Sequence, residues 1–220
     1  MKRSIITTAD GSTSLKIDAW DEPYHSRHGA VQESQHVFIK EGLAKRDTPE
    51  VAILELGFGT GLNALLSYDY AKAHSRNITY CGVEAFPLTA AEVSEMNYAA
   101  QLADKELKKI FTKLHQAPAN EWIAIDTFFS FKRVEKRFEV LEETRQFDLI
   151  YHDAFSPKLQ PELWDEKVFE KGFSLLRSGG MLVTYSAKGS VRRAMESVGF
   201  VVEKVPGPPG KREMIRANKT

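Results

Sequence analysis

Short apolar runs recur along the 220 residues, separated by longer stretches whose apolar positions fall three or four apart. The runs predict strands at Ala52–Leu56, Thr79–Glu84, Thr127–Phe131, Phe147–His152, Met181–Tyr185 and Phe200–Lys204. The intervening periodicity predicts helices over 61–74, 88–99, 102–112, 134–144, 162–176 and 189–198. Strand and helix in alternation imply a doubly wound, mostly parallel α/β sheet of Rossmann-like type. Ligands of such sheets sit beyond the carboxyl ends of the strands. Ahead of this unit, Ile5–Thr8 and Ser14–Ile17 flank Asp10-Gly11, the pattern of a β-hairpin. A polar loop, Tyr24–Ala30, leads to a helix expected from Gln32 to Leu43, with Val37, Phe38 and Leu43 inward. The expected organisation is an N-terminal extension, residues 1–48, and a single α/β domain, residues 49–220. Thr112–Asp126 shows no clear period and is expected to be irregular.

The first strand stops at three glycines spaced one residue apart, Gly57, Gly59 and Gly61. Glycine adopts positive φ without strain and lets a ligand approach the backbone. The helix that follows presents unpaired N–H groups and a positive dipole end. A dinucleotide fingerprint needs its third glycine at the sixth position, here Leu62. The G-x-G-x-G spacing instead resembles motif I of S-adenosylmethionine-dependent methyltransferases. Glu84, at the tip of the second strand, is placed to bind both ribose hydroxyls of an adenosine.

A second candidate follows the strand Phe147–His152. Methyl transfer from a sulfonium is an in-line displacement, so the protein acts chiefly by positioning. An amine acceptor must present a free lone pair, and a nearby carboxylate can orient it and take up a proton. Asp153 supplies such a carboxylate, and Phe155 a ring that could stack on a planar base. The Asp-Ala-Phe-x-Pro pattern loosely resembles the Asp-Pro-Pro-aromatic loop of amino-methyltransferases. Structural roles stay open: Asp153 as a cap of the helix near Pro161, Phe155 as core, His152 as loop support or ligand donor.

Composition narrows the classes. The single cysteine, Cys81, excludes an intramolecular disulfide framework and lies in an apolar strand, as a core residue would. No apolar run is long enough to span a bilayer, and Met1-Lys2-Arg3 is followed by no signal-type segment, so a cytoplasmic protein is expected. His25 and His28 have no cysteine or carboxylate cluster to complete a zinc set, and no G-x-S-x-G elbow occurs, so no metal is expected. Thirty basic residues balance thirty acidic ones, which leaves any nucleic-acid contact to a local cluster. Lys188, Arg192, Arg193, Lys211 and Arg212 could form such a rim for RNA phosphates. They could equally be solvated charges.

The motifs together resemble a known family, the methyltransferase domain of MnmC, the bifunctional enzyme of tRNA 5-methylaminomethyl-2-thiouridine synthesis. The matching pieces are Glu33–Phe38, Glu55–Asn63, Glu84–Thr89, Asp153–Pro157, Trp164, Gly179-Gly180, Val191–Arg193, Gly199-Phe200 and Gly210–Met214. The resemblance implies S-adenosylmethionine as cofactor, held by Gly57, Phe58, Gly59, Gly61, Asn63, Glu84, Ala85, Phe86 and Asp153. It implies tRNA as partner, with the amine of a 5-aminomethyl wobble uridine as acceptor. Asp153 and Phe155 would then be catalytic, and Glu33, Lys188, Arg192, Arg193, Lys211 and Arg212 substrate-binding. Two departures stand out. The chain has no room for the family's oxidase domain, so only the methylation step is expected. No acid follows the third expected strand, which runs into Lys132-Arg133, and Asp126 precedes it, so adenine recognition has no assigned residue. A small-amine transferase such as an aminopropyltransferase, or a cofactor-binding module without chemistry, would carry many of the same features.

Overall fold

The computed structural model describes residues 2–102, 104–143 and 146–220. The extension opens with three antiparallel strands, β1 (Arg3–Thr7), β2 (Thr13–Ile17) and β3 (Glu22–Pro23). A short helix α1 (Ala30–Ser34) then runs into a wider π-helical turn, Gln35–Lys40. The α/β unit follows: β4 (Glu50–Leu56), α2 (Leu62–His74), β5 (Asn77–Val83), α3 (Ala90–Ser94), α4 (Tyr98–Gln101), α5 (Lys105–Gln116), β6 (Trp122–Ala124), β7 (Phe129–Val134), β8 (Phe147–His152), α6 (Glu166–Leu175), β9 (Leu176–Thr184), α7 (Gly189–Ser197), β10 (Val201–Pro206) and β11 (Glu213–Asn218).

The eight-stranded sheet has the order β10-β11-β9-β8-β4-β5-β7-β6. Its centre, β9 to β7, is parallel, and β11, β10 and β6 add antiparallel edges. The chain leaves β4 toward β5 on one side and returns to β8 on the other, so the order reverses at the end of β4. That reversal is where an open α/β sheet leaves a crevice for ligand.

Both faces of β4 are covered, which is why its sequence is a continuous apolar run. Val51 and Ile53 join one core with α2, α5 and the extension, while Ala52, Leu54 and Leu56 join the other with α6 and α7. The extension is built into the first core through Val37, Phe38 and Leu43, all but inaccessible. Phe38 packs at 5.0 Å on Tyr151 of β8. Truncating it to Ala is expected to cost about 3–5 kcal/mol, as large core deletions do. Urea unfolding would measure this, and a loss below about 1 kcal/mol would mean that the extension adds little to the fold.

Several expected elements differ. The helix over 134–144 does not form in its described part. Phe129–Val134 pairs with Ile78–Val83 as a strand, and only a single 3-10 turn, Phe138–Val140, follows; residue 144 lies outside the described residues. The helix over 88–99 divides into α3 and α4 because the Asn97 side chain is taken by the hairpin: it accepts from the Thr13 amide and donates to the Gly11 carbonyl. The Asp104 cap starts α5 later than expected and the helix reaches Gln116, leaving β6 in the segment read as irregular. Asp165 caps α6 at the Val168 amide and separates it from a 3-10 turn at Pro161–Trp164. Strand β11, placed between β9 and β10, is an addition to the expected set. Cys81 is fully buried.

Candidate active site

Beyond β4 the three glycines adopt φ of 89° at Gly57, 51° at Gly59 and 77° at Gly61. Gly57 is constrained further, because a Cβ there would lie 2.3 Å from the Asp153 carbonyl oxygen. The glycine turn and the loop after β8 therefore touch backbone to backbone. The Asp153 amide donates to the Leu56 carbonyl at 2.9 Å, which ties the two strand tips together. The amides of Gly57 and Phe58 both donate to the Val83 carbonyl at 3.0 Å. Glu84 comes next: one carboxylate oxygen accepts from the Gly59 amide and the other from the Phe86 amide, both at 2.8 Å. These bonds fix the carboxylate plane while each oxygen keeps acceptor capacity.

A cavity of about 430 Å³ opens over these tips. That volume lies in the range of about 300–1,000 Å³ usual for small-molecule sites. The floor is the turn with Glu84, Ala85 and Phe86; Asp153 and Phe155 line one side, and Tyr24 and Glu33 of the extension close it from above. The first turn of α2 lies beneath, and its cap residue Gly61 offers no side chain to the helix amides.

Asn63, in that first turn, donates from Nδ2 both to Glu55 Oε1 and to Asp153 Oδ2, each at 2.8 Å. Both partners are carboxyl groups, so the orientation of the amide follows from them. One N–H bond thus fixes Asp153 and the other Glu55, so both Nδ2 hydrogens are engaged within the protein. Glu55 is fully buried, and burial with Asp153 nearby pushes its carboxyl well above the usual carboxylate range. Burial and the Glu33 charge push Asp153 up to about 7, against the opposing pull of Asn63 and Lys211. A carboxyl group titrating near neutrality is suited to accept a proton from an amine.

The Asp153 loop is anchored from two directions. Trp164 Nε1 donates to the Phe155 carbonyl at 2.7 Å, and the Tyr185 hydroxyl to the Ala154 carbonyl at 2.8 Å. The Phe155 ring meets Tyr24 at 4.9 Å and Trp20 at 5.6 Å, both edge-on, giving an aromatic wall at the mouth.

A family model of S-adenosyl-L-methionine-dependent methyltransferases matches residues 95–220, more than half of the chain. The chain belongs to this family. Among curated relatives, the methyltransferase is 33% identical to the tRNA 5-methylaminomethyl-2-thiouridine biosynthesis bifunctional protein MnmC of Aromatoleum aromaticum, over 90% of this chain and 33% of that one. The MnmC of Leptospira interrogans serovar Lai is 32% identical over a similar span. The chain thus covers about a third of the length of these relatives, 33% and 32%. Among solved structures, MNMC2 from Aquifex aeolicus superposes with a TM-score of 0.78 at 25% identity, covering 99% of this chain and 70% of that one. Spermidine synthase from Thermotoga maritima, at 14% identity and a TM-score of 0.57, shares the fold.

The site fits the methyltransferase's cofactor, S-adenosylmethionine. Glu84 offers a fixed carboxylate suited to a ribose diol, and the turn at Gly57 and Gly59 carries no Cβ, which would meet the Asp153 carbonyl oxygen and the Tyr24 ring. Strand β7 ends later than the sequence pattern predicts, at Val134 and not Phe131. The strand continues to Val134, so Lys136, Arg137, Phe138 and Glu139 line the cavity there in place of Lys132-Arg133. Asp126 is occupied elsewhere, accepting from the amides of Phe128 and Phe129 and from the Tyr68 hydroxyl.

Other expected site residues are placed differently. The Phe58 ring is buried against Phe131 and His115, so only its main chain can reach a ligand. His152 is buried between Trp164 and Phe169, and burial holds its imidazole down to about 3. His25 contacts Ser14 Oγ at 2.8 Å, and burial holds it down to about 4. The basic rim divides. Lys188, Lys211 and Arg212 line a second hollow of about 440 Å³, which shares Ser156, Tyr185 and Lys211 with the first. Arg192 and Arg193 line neither; Arg192 pairs with Glu196 at 3.6 Å along α7. The Lys211 ammonium turns inward, to Glu33 at 2.7 Å. Among the described residues, no group of three or more His, Cys, Asp or Glu is arranged to hold a metal ion, and no helix is long and apolar enough to cross a membrane. Trp20, Tyr24, Tyr185 and the segment after Val134 are not marked as site residues by the sequence pattern; the first three lie far along the chain from the Asp153 loop, which they meet only through the fold.

Proposed function

We propose that this methyltransferase places a methyl group on the exocyclic amine of 5-aminomethyluridine, with sulfur or oxygen at carbon 2, at the wobble position of tRNA. The observation that carries the reading is the Asp153 carboxyl, which lines the donor cavity and is raised to about 7 by burial and Glu33, in a cavity that shares Ser156, Tyr185 and Lys211 with the basic hollow. The likeness to MnmC over 90% of the chain supports the choice of acceptor. S-adenosylmethionine, when bound, supplies an electrophilic methyl group. Gly57, Gly59, Gly61, Glu84, Ala85 and Phe86 form its bed, with Asn63 acting through Asp153. Asp153 Oδ2 is held by Asn63, which leaves Oδ1 to accept from the acceptor amine and to take its proton. Phe155, with Trp20 and Tyr24 behind it, gives the uracil an apolar wall. Residues 1–48 serve as the upper wall of the site, since Tyr24 and Glu33 line it. An enzyme with this substrate works in the cytoplasm.

Lys188 and Arg212 are assigned to the tRNA backbone, Arg192 and Arg193 to its outer approach. Reversing Lys188 and Arg212 together to Glu is expected to raise KM for tRNA about tenfold or more and to flatten its salt dependence by roughly two phosphate contacts. Steady-state kinetics across a salt series would measure both, and an unchanged KM and slope would remove the hollow from tRNA binding.

A further inference from the structure

Lys211 stands where a basic residue for RNA phosphates was expected, yet its ammonium is directed into the site. Nζ lies 2.7 Å from Glu33 Oε1 and 4.0 Å from the centre of the Tyr185 ring. The other Glu33 oxygen accepts from the Ser26 amide at 2.8 Å, which fixes the carboxylate. The Glu33 side chain is only 11% exposed. Tyr185 is held in turn by its hydroxyl bond to the Ala154 carbonyl, one residue from Asp153. A fixed carboxylate, an aromatic face and a second carboxyl nearby are the parts of a receptor for an ammonium group. The chain's own lysine fills it.

We propose that Glu33 and Tyr185 form the subsite that receives the acceptor's amino group as a primary ammonium, and that Lys211 is an internal occupant which the acceptor displaces. This rests on the amine acceptor assigned above. It gives Glu33 a role as the recognition carboxylate, with Asp153 the proton acceptor beside it. It also gives the exchange a direction. Lys211 and Glu33 act oppositely on Asp153, the lysine favouring its charged form and Glu33 its neutral one. The arriving ammonium takes over the charge that Lys211 leaves, and Glu33 continues to favour the neutral form of Asp153, the form it reaches on accepting the amine's proton. Lys211 lines both hollows, so it has somewhere to go: the basic hollow beside Lys188 and Arg212.

The test titrates the full chain with 5-aminomethyluridine and its neutral isostere 5-hydroxymethyluridine by calorimetry, in wild type, Lys211→Met and the Lys211→Met/Glu33→Gln double variant. Removing the competitor is expected to tighten binding of the amine about tenfold or more, and Glu33→Gln to abolish the gain. The hydroxymethyl compound should bind all three proteins alike. The subsite is overturned if Lys211→Met binds the amine no more tightly than wild type, or if both nucleosides gain equally, since freed space rather than charge would then explain the change. Methyl transfer by the wild type to aminomethylated tRNA is scored separately. Transfer without the Lys211→Met gain would leave the proposed function standing and remove the subsite. The gain without transfer would keep an ammonium site and remove the assigned acceptor.

Discussion

Asp153→Asn is expected to lower methyl transfer by about 10²–10⁴-fold, the usual range for a lost acid–base group, while the donor still binds. Asparagine keeps the shape and can accept from Asn63, but it cannot take a proton. The wild-type rate should therefore rise with pH through an apparent value near 7, the position to which burial and Glu33 bring Asp153, and the variant should lack that limb. The same shift has a sign in stability. A carboxyl raised in the folded state is held comfortably only in its neutral form, so its contribution is lost as pH rises through about 7. Asp153→Asn should then unfold at higher temperature than wild type at pH 8 and show no such advantage at pH 4. A full rate in the variant would remove Asp153 from the chemistry; a pH profile unchanged by the substitution would assign the limb to another group.

The second large effect concerns Gly57. An alanine Cβ at this position meets the Asp153 carbonyl oxygen at 2.3 Å, a contact no side-chain rotation can relieve, and φ of 89° is unfavourable for any residue with a Cβ. The turn and the Asp153 loop must part, which disturbs the donor bed and the proton acceptor together. Donor affinity is expected to fall about 10²-fold or more, on the scale where each 1.4 kcal/mol is a factor of ten. Gly172 on α6 is the control: a Cβ there finds only ordinary contacts at 3.6 Å and beyond, so Gly172→Ala should bind donor normally. Calorimetric titration with S-adenosylhomocysteine compares the two, and equal affinities would mean that the close approach at Gly57 is not needed for the donor.

The parallel centre of the sheet was legible because both its faces are buried. Strands β4, β5 and β8 read as apolar runs with glycine or acid at their tips, and all three fall where the pattern places them. The family resemblance drawn from their motifs agrees with the methyltransferase family to which the chain belongs. The failure at 134–144 has a specific origin. Val134, Phe138 and Leu141 are all buried in one core at spacings of four and three, which mimics a helix face. Pairing of Val134 with Val83 decides otherwise, and such pairing over fifty residues of chain leaves no local trace. Strand β11 is obscured in the sequence by the Pro208-Pro209-Gly210 loop before it and by Arg216 in its middle, which pairs with the buried Glu41 and the exposed Glu203.

The site divides in the same manner. The glycine turn, Glu84 and Asp153 are motif residues at strand tips, and topology alone brings them together. Asn63 was legible as a member of the motif but not in its role, which depends on Glu55 and Asp153 closing on one amide. Lys211 was read as a phosphate contact because charge is visible in sequence and direction is not. Its partner Glu33 is 178 residues away. Trp20 and Tyr24 carried no signal, since an aromatic residue in a polar loop looks the same whether it faces solvent or a substrate.

The most direct measurement is methyl transfer from labelled S-adenosylmethionine to tRNA bearing 5-aminomethyluridine at the wobble position, with the nucleosides resolved by mass spectrometry. The account predicts a gain of one methyl group on that nucleoside, lost in Asp153→Asn. Label that stays off the aminomethyl nucleoside, under conditions where the protein binds the donor, would contradict it.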